Sequence, residues 1–121
     1  MKSKIFLVDD DPVIIELVSM VLRRESFSVD SATDSRLAFE AIAANPAGYD
    51  ILICDQKMPY ISGSELITKV RGAGFAGKIV VHSGNVDQES ESIRIAMGAD
   101  AILTKPSPIA TMVETVRKLA L

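Results

Sequence analysis

The chain has 121 residues, a length typical of one domain with a substantial core, so we expect a single domain over residues 1–121. Its formal net charge is -3, with 16 acidic residues, 13 basic residues and no basic run, which argues against direct nucleic-acid binding. A single cysteine and the lack of any apolar run of membrane-spanning length predict a cytoplasmic protein that does not enter a membrane.

Short apolar runs alternate with amphipathic segments along the whole chain, which predicts strands that alternate with helices. In chain order the predicted elements are a strand at 5–8, a helix at 12–25, a strand at 27–31, a helix at 34–44, a strand at 51–54, a helix at 63–71, a strand at 78–82, a helix at 87–97, a strand at 100–104 and a helix from 108. The second strand alternates apolar and polar residues, so we expect it at a half-exposed sheet edge. The pattern predicts an α/β fold, a single (βα)5 sandwich around a parallel sheet.

The third strand delivers one carboxylate, Asp55, to its end. Met58-Pro59 and Ser62-Gly63 then favour irregular backbone, so the carboxylate lies at the mouth of a loop that a ligand can reach. We interpret Asp55 as the acceptor of a phosphoryl group. The alternative is that Asp55 only caps a turn, which is the more common role of a single aspartate after a strand.

Polar or charged side chains follow four of the predicted strands. The carboxyl ends of parallel strands meet at one rim, where open α/β sheets bind ligands. Converging carboxylates repel one another unless a cation neutralises them, and an oxygen-rich set suits Mg²⁺, so Asp10 and Asp55 are predicted metal ligands. Ser83 and Lys105 are predicted to contact the phosphoryl oxygens. The residues expected at the rim are Asp9, Asp10, Asp55, Ser83 and Lys105.

Taken together, these motifs resemble the response-regulator receiver domain, the CheY-like family, over essentially the whole chain. The resemblance rests on Asp9-Asp10, on Asp55-Gln56-Lys57-Met58-Pro59 with Gly63 four residues beyond the proline, on Ser83 and on Lys105-Pro106. It implies a flavodoxin-like doubly wound sheet with strand order 2-1-3-4-5. It also implies a cis peptide between Lys105 and Pro106.

The resemblance implies a role for each residue of the site. Asp55 is implied as the phosphoacceptor, and Asp10 as a direct Mg²⁺ ligand. Asp9 is implied as a metal-site acid that acts mostly through water, and the backbone carbonyl of Lys57 as a further ligand. Ser83 is implied as the switch hydroxyl.

The same resemblance implies roles for four positions, of which Lys57 is already named above. Lys105 is the implied phosphate-pairing lysine. Lys57 and Asn85 are implied to line the route of water to the phosphoaspartate. Ile102 occupies the position where receivers commonly have Tyr or Phe, so we expect phosphorylation to cause a smaller rearrangement than an aromatic residue would allow.

The expected function is that of a phosphorylation-switched module of a two-component phosphorelay, which catalyses only its own phosphorylation and dephosphorylation. The expected partners are a sensor histidine kinase or histidine phosphotransfer protein and an unidentified output partner, with the chain a monomer or a phosphorylation-dependent homodimer. One alternative is the receiver half of a larger regulator with a DNA-binding or enzymatic output domain. Another is an aspartate-nucleophile phosphohydrolase, although that chemistry requires an acidic residue at the position that Lys57 occupies. His82, beside Ser83, is interpreted as structural.

Overall fold

Five parallel strands form one sheet with the order β2-β1-β3-β4-β5, which confirms the predicted fold and strand order. The structure is a computed structural model that describes residues 3–84, 98–105 and 109–120. The strands are β1 (Lys4–Val8), β2 (Ser28–Ala32), β3 (Ile51–Cys54), β4 (Lys78–Ser83) and β5 (Ala101–Thr104). β2 lies at an edge, and its residues alternate between buried and exposed at the start of the strand, as the sequence pattern predicts.

The helices in the described ranges are α1 (Pro12–Arg24), α2 (Ser35–Ala44), α3 (Gly63–Gly72) and α4 (Ile109–Ala120), with a short 3-10 helix at Pro46–Gly48. The helix predicted at 87–97 lies outside the described residues. No helix within the described ranges is long and apolar enough to cross a membrane.

Side-chain caps explain why the first two helices begin where they do. Asp11 Oδ1 accepts a hydrogen bond from the backbone N–H of Val13 at 2.9 Å, and Pro12 occupies the first helical position, where its missing N–H costs nothing. Asp34 caps α2 in the same way, since its Oδ1 accepts a hydrogen bond from the backbone N–H of Arg36 at 2.8 Å. Because Asp11 is occupied as a cap, two of the three consecutive aspartates remain available for other chemistry.

The sheet separates two buried apolar clusters. One lies against α2 and α3 and includes Val8, Cys54 and Val81; the other lies against α1 and α4 and includes Leu7 and Ile53. This division follows from the alternation of side chains along each strand. Buried layers on both faces hold the strand ends firmly.

The register of the sheet decides which loop residues meet. Val8 lies opposite Cys54, and Cys54 lies opposite Val81. The residues that follow β1 and β3, Asp9 and Asp55, therefore leave adjacent strands at the same level of the rim. The fold alone thus brings together two carboxylates that are 46 positions apart in the sequence.

Candidate functional site

Three carboxylates converge at the rim formed by the ends of β1 and β3. One oxygen from each of Asp9, Asp10 and Asp55 lies within 4.8 Å of the others. Asp9 and Asp55 are buried, with 2% and 8% of their surfaces exposed, whereas Asp10 faces solvent. A cluster with two buried acids and one open side is suited to bind a cation that approaches from solvent.

Lys105 joins the two buried acids. Its Nζ lies 2.6 Å from Asp9 Oδ2 and 2.9 Å from Asp55 Oδ2. The ammonium therefore offsets part of the negative charge that the strand ends bring together. It reaches the site because β5 lies beyond β4 on the same side of β3, so the residue after β5 emerges at the same rim.

Burial and pairing set the protonation of these groups. Burial raises the pKa of the Asp9 carboxyl, and its bonds to Lys105 and to the Asp11 N–H, which donates to Asp9 Oδ1 at 2.9 Å, oppose that rise only in part. Burial lowers the pKa of Lys105, but the two carboxylates outweigh that effect and the net pKa is raised. Lys105 therefore remains a cation at neutral pH.

Gln56 fixes the backbone immediately after Asp55. Its N–H donates to Asp55 Oδ1 at 2.7 Å, and its carbonyl accepts from the N–H of Gly63 at 2.9 Å. Its side-chain oxygen accepts from the N–H of Ser64 at 2.8 Å. The sequence predicts no role for Gln56, because a glutamine in a loop carries no signal of its contacts.

Gly63 allows α3 to begin directly against the site. A Cβ at this position would lie 2.4 Å from the backbone oxygen of Asp55, which is closer than real carbon–oxygen contacts allow. Ser62 and Glu65 form a capping box at the start of the same helix. The pattern Ser-x-x-Glu before an apolar stretch was a sequence signal for this helix start.

The other predicted site residues are described to different extents. Lys57 is exposed, and Ile102 is half-buried and packs against the α2–α3 cluster. Ser83 ends β4, with its Cα opposite that of Thr104, but its side chain lies outside what the structure describes. Asn85 and Pro106, and with Pro106 the predicted cis peptide, also lie outside the described residues.

Two further side chains near the site, His82 and Cys54, are buried, and burial shifts the pKa of each. His82 is 6% exposed, and neither ring nitrogen has a hydrogen-bond partner within the described part of the chain. Burial, aided by the charge of Lys105, lowers the pKa of His82, which favours the neutral ring. Cys54 is fully buried, and burial with the nearby charges of Asp55 and Asp9 raises the pKa of its thiol to about 12. A thiol of this kind is a core residue rather than a nucleophile.

Comparison with known proteins identifies the family. The sequence model of the response regulator receiver domain matches residues 5–117. This chain belongs to that family. Receiver domains are signalling modules of two-component response regulators, and their general function is to accept a phosphoryl group on an aspartate.

The receiver domain is similar to part of several longer regulators. It is 30% identical to the transcriptional regulatory protein CutR of Streptomyces coelicolor over 118 residues, which cover 96% of this chain and 52% of CutR. It is 29% identical over 127 residues to the alkaline phosphatase synthesis transcriptional regulatory protein SphR of Synechococcus elongatus, covering 97% of this chain and 48% of SphR. The chain thus spans about half the length of these relatives.

Solved structures give the same fold. The chemotaxis response regulator CheY4 of Vibrio cholerae superimposes with a TM-score of 0.87 at 28% identity, covering 98% of this receiver domain and 99% of CheY4. The receiver domain of the Francisella response regulator 1452 gives a TM-score of 0.89 at 25% identity, with coverage of 98% and 96%. CheY4 therefore has nearly the same extent as this chain.

Proposed function

We propose that this receiver domain accepts a phosphoryl group on Asp55 in a reaction that requires Mg²⁺, and that the modification changes which partner it binds. The observation that carries the proposal is the placement of Asp55 within a cluster of three carboxylates and in contact with the Lys105 ammonium. Such a site combines a nucleophilic oxygen with groups that offset negative charge, and phosphoryl transfer requires both from a protein.

The donor set fits Mg²⁺. Carboxylate and carbonyl oxygens are the ligands that this cation prefers, and it keeps several waters, which the exposed side of the cluster allows. Asp10, Asp55 and the Lys57 carbonyl would hold it directly, with Asp9 acting through water. When bound, Mg²⁺ would neutralise charge on the phosphoryl oxygens.

The transfer itself makes one bond and breaks one. An oxygen of Asp55 bonds to phosphorus while the bond from phosphorus to the donor nitrogen or oxygen breaks, and the electron pair leaves with the donor. The product is an acyl phosphate on Asp55. Lys105, which already contacts Asp55 Oδ2 at 2.9 Å, would offset the charge that the phosphoryl group adds. Beyond its own phosphorylation and dephosphorylation, we propose no enzymatic activity for the domain.

A histidine-phosphorylated protein is the proposed donor, and the surface of α1 supports a protein partner. α1 begins at Pro12, two residues beyond Asp10, so any donor that reaches Asp55 also approaches this helix. Val13, Leu17 and Met20 are 68%, 40% and 43% exposed and lie along one face of α1 at helical spacing. Exposed apolar side chains in a row beside a reactive site are typical of a protein-binding surface. The expected setting is the cytoplasm.

Intact mass after incubation with acetyl phosphate and Mg²⁺ tests the function. The parent should gain one phosphoryl group, and it should not do so without Mg²⁺. Asp55→Asn should gain none, whereas Asp30→Asn, which removes an exposed carboxylate on the edge strand, should behave as the parent. A phosphoryl gain by Asp55→Asn, or none by the folded parent, would contradict the assignment.

The lengths of the relatives favour a second proposal, in which this domain is one part of a larger protein. CutR and SphR are about twice as long as the region they share with this chain. The domain would then be the receiver half of a regulator with an output domain, rather than a free-standing shuttle. An antibody against the domain distinguishes the two in native extract, since a free-standing protein migrates at the size of 121 residues and a larger regulator well above it.

A further inference from the structure

Ser35, the first residue of α2, connects that helix to the loop that follows Asp55. Its side chain is buried, with 1% of the residue exposed. Its Oγ donates a hydrogen bond to the carbonyl of Pro59 at 2.9 Å and accepts one from the N–H of Ile61 at 3.1 Å. One hydroxyl therefore bonds to backbone groups on both sides of Tyr60.

The segment that Ser35 holds is strained. Tyr60 has a φ of 71°, a conformation that non-glycine residues rarely adopt. The Ile61 N–H also donates to the Pro59 carbonyl at 2.9 Å, which closes a γ-turn of the form with a positive central φ. Conformations of this kind are energetically unfavourable and persist only when the surroundings impose them.

α2 also holds the side chain of Tyr60. The guanidinium carbon of Arg36 lies 3.5 Å from the centre of the Tyr60 ring, and Arg36 is itself paired with Asp34 at 2.8 Å. The ring is otherwise open to solvent, since Tyr60 is 70% exposed. Contacts from the start of α2 therefore hold the turn on both sides of Tyr60, together with the packing of Ile61 against the α2–α3 cluster, whereas burial of the Tyr60 side chain adds little.

Hydrogen bonds anchor the loop between Asp55 and α3 at two points, and Met58 and Ile61 also pack against the α2–α3 cluster. Gln56 ties its first residue to the start of α3 through Gly63 and Ser64, and Ser35 ties its middle to α2. Lys57, which supplies the proposed carbonyl ligand, lies between these anchors. Because a metal site keeps its affinity only while its ligands are held in place, the second anchor bears directly on the proposed site.

We propose that Ser35 is a positioning residue that sets the affinity of the site for Mg²⁺ by holding the strained turn at Tyr60. Without its two hydrogen bonds the turn relaxes and the Lys57 carbonyl loses its fixed position. This inference rests on the proposed function, because it takes the Lys57 carbonyl as a metal ligand.

Titration with Mg²⁺ alone, followed through the backbone amide resonances of residues 56–62, tests the proposal. Ser35→Ala should weaken Mg²⁺ binding by about tenfold, the lower end of the effect of removing a group that supports a metal ligand. Ser19→Ala is the matched control: Ser19 is also buried on a helix, but its Oγ has no hydrogen-bond partner among the residues that the structure describes, so its loss should leave Mg²⁺ affinity unchanged. Ser35→Thr, which keeps the hydroxyl, should bind Mg²⁺ nearly as the parent does.

The outcomes separate this inference from the proposed function. A folded parent that binds no Mg²⁺ at these residues would contradict the proposed function. A parent that binds Mg²⁺, with a Ser35→Ala affinity within twofold of it, would overturn the role of Ser35 alone. So would equal losses in Ser35→Ala and Ser35→Thr.

Hydrogen exchange on the parent is a second test of the contact between Ser35 and the turn, and it does not require that Ser35→Ala folds. The Ile61 amide has two acceptors, Ser35 Oγ and the Pro59 carbonyl. It should therefore be protected from exchange in Mg²⁺-free buffer. Exchange at the rate of an unstructured amide would overturn the proposal.

Discussion

Lys105 Nζ lies 2.9 Å from Asp55 Oδ2, although 50 positions separate the two residues in the sequence. The same ammonium lies 2.6 Å from Asp9 Oδ2. One side-chain cation therefore stabilises two carboxylates that would otherwise repel each other. A bound metal ion and the Lys105 ammonium are both attracted by the same carboxylates. Removal of the lysine should therefore affect metal binding and phosphoryl transfer differently.

Replacement of Lys105 by Ala should tighten Mg²⁺ binding and slow phosphorylation. The carboxylates become more negative without the ammonium, and we expect Mg²⁺ affinity to rise by about tenfold, the scale of one nearby charge. Phosphoryl uptake should fall by about 10²-fold because a group that stabilises the transferred charge is lost. Calorimetric titration with Mg²⁺ and the rate of mass gain from acetyl phosphate measure the two effects.

Lys69→Ala is the control for Lys105→Ala. It removes the same charge from an exposed position on α3 and should change neither quantity appreciably. Weaker Mg²⁺ binding in Lys105→Ala would show that the lysine orders the carboxylates more than it competes with the metal.

Replacement of Gly63 by Ala should destabilise the domain and disturb the site. The added Cβ would lie 2.4 Å from the Asp55 carbonyl oxygen, so the backbone must move. We expect a loss of about 1–3 kcal/mol in the free energy of unfolding, measured by denaturant titration. Gly72→Ala in the same helix is the comparison: a Cβ there meets nothing within 4 Å, and the change should be neutral or slightly stabilising. Equal effects in the two variants would refute the steric explanation.

The aliphatic side chain of Ile102 should limit how far phosphorylation changes the domain. Ile102 is half-buried on β5, with its Cα opposite that of Val81. With a beryllofluoride phosphoryl mimic, amide shifts should be concentrated at residues 83–87 and be smaller over 101–120. Ile102→Tyr should extend the shifts along β5 and α4. Large shifts throughout those elements in the parent would argue against the expectation.

Tyr49 should ionise only in strongly alkaline solution. Its hydroxyl donates to Asp30 Oδ2 at 2.8 Å, and burial, with this bond and the Asp30 charge, raises the pKa of Tyr49 to about 12. A raised pKa means that the folded state holds the proton more tightly than the unfolded chain. The resulting stability is complete below about pH 10, the ordinary tyrosine value, and is lost as the pH rises through about 12.

Ultraviolet titration of tyrosinate in a Tyr60→Phe background isolates Tyr49, because the chain has two tyrosines. Asp30→Asn should lower the pKa of Tyr49 only part of the way toward the ordinary value of about 10, because burial, the largest cause of the shift, remains. An unchanged titration in Asp30→Asn would show that the carboxylate has no part in the shift.

Much of the fold could be predicted because it depends on local patterns. Apolar runs marked the strands, and the sequence Asp11-Pro12 marked the start of α1, since capping needs only neighbours along the chain. The strand order and the family came from the resemblance of joint motifs, and both are confirmed. The assignment of individual site residues remains a prediction that the experiments above address.

The amino-acid sequence is sufficient to predict the elements, their alternation and the presence of three aspartates, a lysine and a hydroxyl after strand ends. Which of these groups touch depends on the tertiary structure, because the distances between them are set by strand register and side-chain packing. The contact of Lys105 with both Asp9 and Asp55 is of this kind. The two hydrogen bonds of Ser35 to the turn at Tyr60 are also of this kind, since they join residues that are 24 and 26 positions apart. No local pattern in a sequence encodes a hydrogen bond between two such distant segments.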